Sequence, residues 1–318
     1  MVTTRCMLGT IAIATSMLGS AVVTGQAYPT RPIRIVTSSL GGGVDFAARL
    51  IAQVLSSSIG QQVIVDNRGD HVTMEIVAKA QPDGYTLLIT GAGFFIEPLF
   101  QKMSYDPVRD FAPITLAVSP PSVLIVGPSV PANSVKELIA LAKSKPGQLN
   151  YASAGVGGAS FLAAELFKSM AGVNIVHIPY KGSGPGLTDL MGGQIEVMFV
   201  AASVAPPLVK AGKVRALAVT TAQPTPLVPD LPTLAATLPG YEAVAIVGVY
   251  APAKTPASLI NRLNQEIVRG LNQPQIKERL LSIGTEVVGS TPEGLAATIK
   301  SETIKWAKVF KDLGIRGE

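Results

Sequence analysis

The sequence predicts an α/β protein of two lobes, each a mostly parallel sheet flanked by helices. Three observations carry this. Ile33 to Leu55 reads as a short apolar strand, a glycine-rich turn and an amphipathic helix. Leu149 to Met170 repeats that pattern farther along the chain. Between and after them, apolar runs alternate with helical segments in a βαβ rhythm, which implies parallel strands and right-handed crossovers.

The first turn sets out the chemistry. Ile33 to Val36 is followed by Ser38 and Ser39, then Gly41, Gly42 and Gly43, then Asp45 and a helix with Arg49, Gln53 and Ser56 on one stripe. The first amides of a helix lack an internal partner, and the helix dipole adds partial positive charge there. Glycines let a ligand oxygen approach the backbone. The second turn offers Ser153, Gly155, Gly157, Gly158 and Ser160 before another apolar helix. Two such seats, one per lobe, can hold one small anion between them.

Gln62 to Asp66 reads as the second strand, Asn67 to Thr73 as a polar turn, and Met74 to Ala80 as a short helix. Tyr85 to Thr90 is the third strand, leading into Gly91-Ala92-Gly93. Ligands in parallel sheets gather at the carboxyl ends of strands, where Ser38 to Asp45 and Gly91 to Phe95 both lie. Ile114 to Val118 and Val123 to Val126, split by Ser119-Pro120-Pro121-Ser122, are long strands leaving the first lobe. Ser134 to Glu137 is a capping box opening a helix to Ala142. In the second lobe, strands are expected at Asn174 to Ile178, Ile195 to Phe199 and Val214 to Thr220, with a short helix at Thr188 to Met191. Thr225 to Pro239 is a proline-rich surface loop, and Ala243 to Ala251 the return strand. Thr255-Pro256 and Thr291-Pro292 each place a capping hydroxyl before a proline opening a helix. Helices follow from Pro256 to Leu271, Gln275 to Ser282 and Pro292 to about Phe310. Trp306, the only tryptophan, is expected to pack this tail onto the first lobe. The boundaries are a leader at 1–27, a first lobe at 28–126 plus 248–318, and a second lobe at 127–247.

Composition bounds the function. The 318 residues are 47% hydrophobic and 15% charged, enough to bury two cores. The formal charge is +5, but Lys and Arg are scattered singly, which argues against nucleic acid. Met1 to Ala27 has one charge, Arg5, then an apolar run from Met7 to Val23 and the small-residue site Gly25-Gln26-Ala27. That is the layout of a cleaved secretory signal, and its removal takes away Cys6, the only cysteine. The two histidines, His71 and His177, are far apart in sequence, so no metal cluster is expected, and His177 reads as structural. No G-x-S-x-G or G-K-[ST] is present, which removes a nucleophile elbow and a nucleotide P-loop. Gly155 to Ser160 approaches a dinucleotide fingerprint, but no acid follows about twenty residues on to hold a ribose. No cofactor is expected.

Several strings carry a family resemblance. They are Tyr28-Pro29-Thr30-Arg31-Pro32-Ile33, Gly41-Gly42-Gly43 with Asp45, Asp66-Asn67-Arg68 and Pro82-Asp83-Gly84-Tyr85-Thr86-Leu87. Tyr105-Asp106-Pro107, Leu149-Asn150-Tyr151-Ala152-Ser153, Pro179-Tyr180-Lys181-Gly182 and Val214-Arg215-Ala216-Leu217-Ala218 continue the series. Together they resemble the Bug/TctC family of periplasmic solute receptors serving tripartite tricarboxylate transporters, over essentially the whole chain after the leader. The resemblance implies a monomeric "Venus flytrap" of the periplasmic-binding-protein type, with an organic carboxylate in the cleft, no catalytic step, and membrane subunits as partner. An exported enzyme or sensing receptor on the same fold is the rival reading.

The candidate ligand-binding residues follow. In the first seat they are Ser38, Ser39, Leu40, Gly41, Gly42, Gly43, Val44 and Asp45; Gly91, Ala92 and Phe94 come from the third strand end. The second seat supplies Ser153, Ala154, Gly155, Val156, Gly157, Gly158, Ala159, Ser160 and Phe161; Tyr180, Lys181, Val200 and Ala201 complete the set. Against the family pattern, Leu40 replaces a proline and Val44 a hydroxyl residue. Gly158 stands where threonine is common, Phe161 where histidine is common, and Val200 where aspartate is frequent. The loop after Arg68 is short and carries Asp70 and His71 in place of several glycines. Exchanging polar for apolar partners points to a ligand with one carboxylate and an apolar or aromatic body, since a tricarboxylate there would leave charge unpaired.

Overall fold

The computed structural model describes residues 28–38 and 43–315. The expected leader and the first-seat residues Ser39, Leu40, Gly41 and Gly42 lie outside the described residues. The chain runs β1 (Ile33–Thr37), α1 (Gly43–Ile59), β2 (Val63–Asn67), α2 (Asp70–Ala78) and β3 (Thr86–Thr90). Next come α3 (Gly93–Ile96), a 3-10 turn over Glu97–Leu99, β4 (Phe111–Ser119), β5 (Ser122–Val126) and α4 (Val135–Ser144). Then follow β6 (Asn150–Ser153), α5 (Ala159–Ala171), β7 (Val176–Pro179), α6 (Ser183–Met191), β8 (Val197–Ala201), α7 (Ala205–Lys210) and β9 (Arg215–Val219). The last elements are β10 (Val247–Pro252), α8 (Ala257–Leu271), α9 (Pro274–Ser282), β11 (Glu286–Val287) and α10 (Pro292–Asp312).

The strands form a six-stranded sheet, β11-β4-β10-β3-β1-β2, and a five-stranded sheet, β7-β6-β8-β5-β9. This is the two-lobed α/β fold. Parallel pairing joins β1 to β2 and β3, and β6 to β7 and β8, the halves that carry the glycine turns. Strands β4, β5, β9, β10 and β11 add antiparallel pairs. The first sheet draws strands from both ends of the chain and the second from the middle. The outward crossing falls at Ser119–Ser122, because β5 is already hydrogen-bonded within the second sheet, ahead of the boundary expected at Val126. The return segment runs beside it: Ala245 N donates to Pro120 O at 3.0 Å, and Ser119 Oγ donates to Ala245 O at 3.0 Å.

The core has a shared part and two private parts. One apolar cluster takes Leu88 and Leu116 from the first sheet, Leu124 and Phe199 from the second, and Trp306 and Phe310 from α10. A second cluster lies between the outer face of the first sheet, α1 and α8, and a third on the outer face of the second sheet. Helix α10 therefore touches both lobes: the Phe310 ring is 5.5 Å from Phe100 and 6.5 Å from Phe161 on α5. The tail packs on the first lobe as expected and reaches the second as well.

Other local differences have physical reasons. Helix α2 starts at Asp70, inside the expected polar turn, because Thr73, Met74 and Val77 form its buried face. Helix α6 starts at Ser183, since Gly184 and Pro185 fall in the first turn, where a missing N–H costs least. The Thr255 hydroxyl donates to Pro252 O at 2.7 Å and does not cap α8, whereas Thr291 caps α10 by accepting Gly294 N at 3.1 Å. Ser134 accepts Glu137 N at 3.2 Å as expected, while the Glu137 carboxylate accepts Asn133 N. The short elements α3, α7 and β11 carry too few residues for a periodic signal.

Gly270 gives a test of the α1–α8 packing. Alanine is favoured over glycine in a helix by about 1 kcal/mol. Here its Cβ would stand 1.8 Å from Val54 Cγ1. Steric overlap outweighs propensity, and Gly270→Ala is expected to lower unfolding stability by about 1–3 kcal/mol in denaturant titration. An unchanged or raised stability would contradict this packing.

Candidate functional site

A cavity of about 510 Å³ opens between the two sheets at the carboxyl ends of β1, β3 and β6. From the sequence-predicted set, Ser38, Gly43, Val44, Gly91, Ala92 and Phe94 reach its wall from the first lobe. Ala154, Gly155, Val156, Gly157, Gly158, Ala159, Ser160, Val200 and Ala201 reach it from the second. Gly43 and Val44 at the start of α1 and the turn before α5 thus face the same space.

The second turn is built for close approach. Gly155 and Gly157 hold φ of +129° and +81°, conformations that side chains rarely adopt. Gly158 forms the N-cap of α5 and has no side chain with which to cap it. Ser160 Oγ instead accepts Ala154 N at 3.1 Å and ties the turn to the helix start. The opening amides of α5 are therefore left without a side-chain cap beside the cavity.

Five predicted residues do other work. Asp45 is buried behind the first turn: its Oδ1 accepts Asn67 Nδ2 at 2.8 Å and pairs with Arg49 at 3.1 Å. The same Asn67 amide donates to Ser38 O at 2.8 Å, so Asp45 ties the start of α1 to the ends of β1 and β2 and does not line the cavity. Ser153 is fully buried, with its Oγ 2.7 Å from His177 Nε2. Phe161 is buried and packs 5.0 Å from the His177 ring. The Tyr180 hydroxyl donates to Asp189 Oδ2 at 2.6 Å, which pushes the phenol up to about 12. Lys181 is exposed and off the wall.

The structure adds wall residues that the sequence reading missed. Pro120, Pro121 and Ser122 come from the outward crossing and Ala243 to Val247 from the return. Glu97 comes from the 3-10 turn after α3, and Glu302 and Trp306 from α10. Glu302 accepts Lys305 Nζ at 2.5 Å and Trp306 Nε1 at 2.9 Å. Helical spacing from Glu302 to Trp306 could have flagged that pair; for Glu97 the adjacency to Gly91-Ala92-Gly93 was the available signal. Apolar groups cover much of the wall, with Val44, Val156, Val200, Val244 and Ile246 among them. Val156 presents an exposed apolar side chain on this wall. Among the described residues, no three histidine, cysteine or acidic side chains converge as metal ligands would.

Under the second turn lies a polar chain. Tyr151 OH donates to Glu165 Oε1 at 2.5 Å, Lys168 Nζ donates to the same oxygen at 2.7 Å, and the Tyr151 ring stacks 4.8 Å from His177. The Ser153–His177 contact has hydrogen-bond length, but Ser153 Oγ is sealed from the cavity. Together these side chains brace the turn from behind.

Two α/β lobes with a cavity between them, walled by the starts of α1 and α5, are the build of a solute-binding receptor. The family model described as "Tripartite tricarboxylate transporter family receptor" matches residues 47–315, and the chain belongs to that family. A Pseudomonas sp. relative, the UPF0065 protein of the tcbD-tcbE intergenic region, is 39% identical, covering 96% of this chain and 93% of its own. An R. palustris protein solved with adipate is 37% identical with TM-score 0.80, covering 92% of this chain and 100% of its own. The Rhodopseudomonas palustris protein MatC, solved with bound malate, is 31% identical with TM-score 0.75, covering 89% and 99%.

Burial holds the His177 imidazole below its ordinary value of 6.5, against the opposing pull of Glu165. The unfolded chain therefore takes up this proton first. Stability is insensitive to His177 above pH 6.5 and falls as pH drops from there through the folded value. Proton NMR titration is expected to place His177 below 6.5, and His177→Asn to flatten the loss of Tm as pH falls below 6.5. Titration at or above 6.5 would contradict the burial argument.

Proposed function

We propose that this chain is an exported receptor that closes on a carboxylate with one anionic end and an apolar or aromatic body. It then delivers that solute to the membrane subunits of a tripartite transporter, acting as a monomer in the periplasm after loss of residues 1–27. The observation that supports this reading is the shared cavity, with the uncapped start of α5 on one side, Gly43 and Gly91 to Gly93 on the other and aliphatic walls between. The relatives solved with adipate and malate support a carboxylate as the guest.

In this reading the anionic end sits on backbone amides of the two turns, and Val44, Val156 and Val200 receive the apolar body. Gly43, Gly91 and the 154–160 turn are the binding backbone; Asp45, Ser153, Phe161 and Tyr180 position it from behind. The lobes are the chain up to Ser119 with the segment from Val247 onward, and the residues between. The hinge is the crossing pair around Pro120–Pro121 and Val244–Ala245, whose backbones bond to each other. The rival reading as an exported enzyme gains nothing from Ser153 and His177, since the serine oxygen has no access to the cavity.

Two measurements check the reading. Mass spectrometry of ligand released from purified protein is expected to show an intact organic acid. A thermal-shift panel of citrate, simple dicarboxylates and aromatic carboxylates is expected to give its largest shifts with acids bearing an apolar body. A large shift with citrate and none with aromatic acids would overturn the specificity proposed here.

A further inference from the structure

We infer that Thr90 and Ser122 determine specificity: their hydroxyls select, within the carboxylates, an acid that carries a neutral oxygen, hydroxyl or carbonyl, on its apolar body. The inference rests on the carboxylate reading above and narrows it. Thr90 ends β3 and Ser122 opens β5, so each lobe supplies one, and both line the cavity. Each is more than nine-tenths buried, with 4% and 6% of its surface exposed. Among the described residues neither hydroxyl has a hydrogen-bond partner. The Ser122 backbone is already held: its N–H donates to Thr220 Oγ1 at 2.9 Å, and its carbonyl accepts the same hydroxyl at 3.0 Å. Only the side-chain oxygen of Ser122 is left to meet a guest.

Both hydroxyls stand over the same apolar ground. Side chains alternate along a strand, which puts Thr90 on the face of Leu88 and Ser122 on the face of Leu124. Leu88 and Leu124 belong to the apolar cluster that the lobes share. Other members of that cluster, Phe94, Leu162, Phe199, Ile246 and Trp306, reach the cavity wall. Tyr250 adds a third hydroxyl on this face. Its oxygen is the one sealed side-chain polar atom without a hydrogen-bond partner among the described residues. It lies against Gly248, the register partner of Thr90. The fold thus brings three hydroxyls to one apolar face and pairs none of them. An oxygen on the guest can accept from either cavity hydroxyl, or from both through its two lone pairs. A methyl group in its place takes the hydroxyls out of water and gives them no partner. A second carboxylate fits less well, because the described wall residues include no lysine, arginine or histidine to match its charge.

Matched probes test this. 6-Hydroxyhexanoate and heptanoate differ only in a hydroxyl for a methyl, as do 4-hydroxybenzoate and 4-methylbenzoate, and adipate serves as the class control. Calorimetry on the full mature protein is expected to show the hydroxy acid of at least one pair binding on the order of tenfold more tightly than its methyl partner. In the double variant Thr90→Val/Ser122→Ala that preference is expected to vanish without a fall in Tm, since neither hydroxyl bonds to the fold. A methyl acid that binds wild type as tightly as its hydroxy partner in both pairs, a preference that survives the double variant, or binding of adipate alone overturns the role of Thr90 and Ser122 and leaves the carboxylate reading standing. No binding of any of the five acids overturns the carboxylate reading itself, and this inference falls with it.

Discussion

An anion leaving water needs donors already fixed in place, and in the proposed reading this chain supplies them from backbone. The exposed starts of helices, set at the carboxyl ends of parallel strands, hold N–H groups that no rotamer can move. Everything around the cavity serves that constraint. Gly155 and Gly157 adopt positive φ so that the turn can bend over the space, and Gly158 leaves α5 without a side-chain cap. Fixed backbone donors also remove the need for lysine or arginine on the wall, and none is present among the described lining residues.

Backbone donors are only as precise as what braces them. In the first lobe the end of β1 and the start of α1 are joined by Asn67, whose amide reaches both Ser38 O and Asp45 Oδ1. The second is braced by Ser153 and His177, with Tyr151, Glu165 and Lys168 behind. The shared apolar cluster under α10 then holds the two lobes together on one side of the cleft. Hydroxyl and acidic residues that sit in glycine-rich turns are thus split between two tasks, contact and support.

That split explains what the sequence could and could not disclose. Strand and helix periodicity placed most elements of both sheets, and glycine spacing placed the turn before α5. Whether a turn residue faces the cavity or the core depends on partners distant in sequence: Asn67 turns Asp45 inward, and His177 does the same to Ser153. Phe94 was expected at the cleft for its ring. It touches the wall, yet the ring packs into an aromatic group with Tyr105, Phe111 and Tyr250. A four-residue helix has no periodicity from which to read that direction. Glu97 and Trp306 reach one cavity from segments that only tertiary packing brings together. The apolar replacement at Val200 does face the cleft, whereas the one at Phe161 is spent on packing against His177 and Phe310.

The central claim is that both turns grip the same guest. Titrating the bound acid into ¹⁵N-labelled protein reads the backbone amides directly. The account predicts that the amides of Gly91 to Gly93 and of Gly155 to Ser160 shift together, along one saturation curve with one Kd. Shifts confined to one turn, or two curves with different affinities, would contradict it.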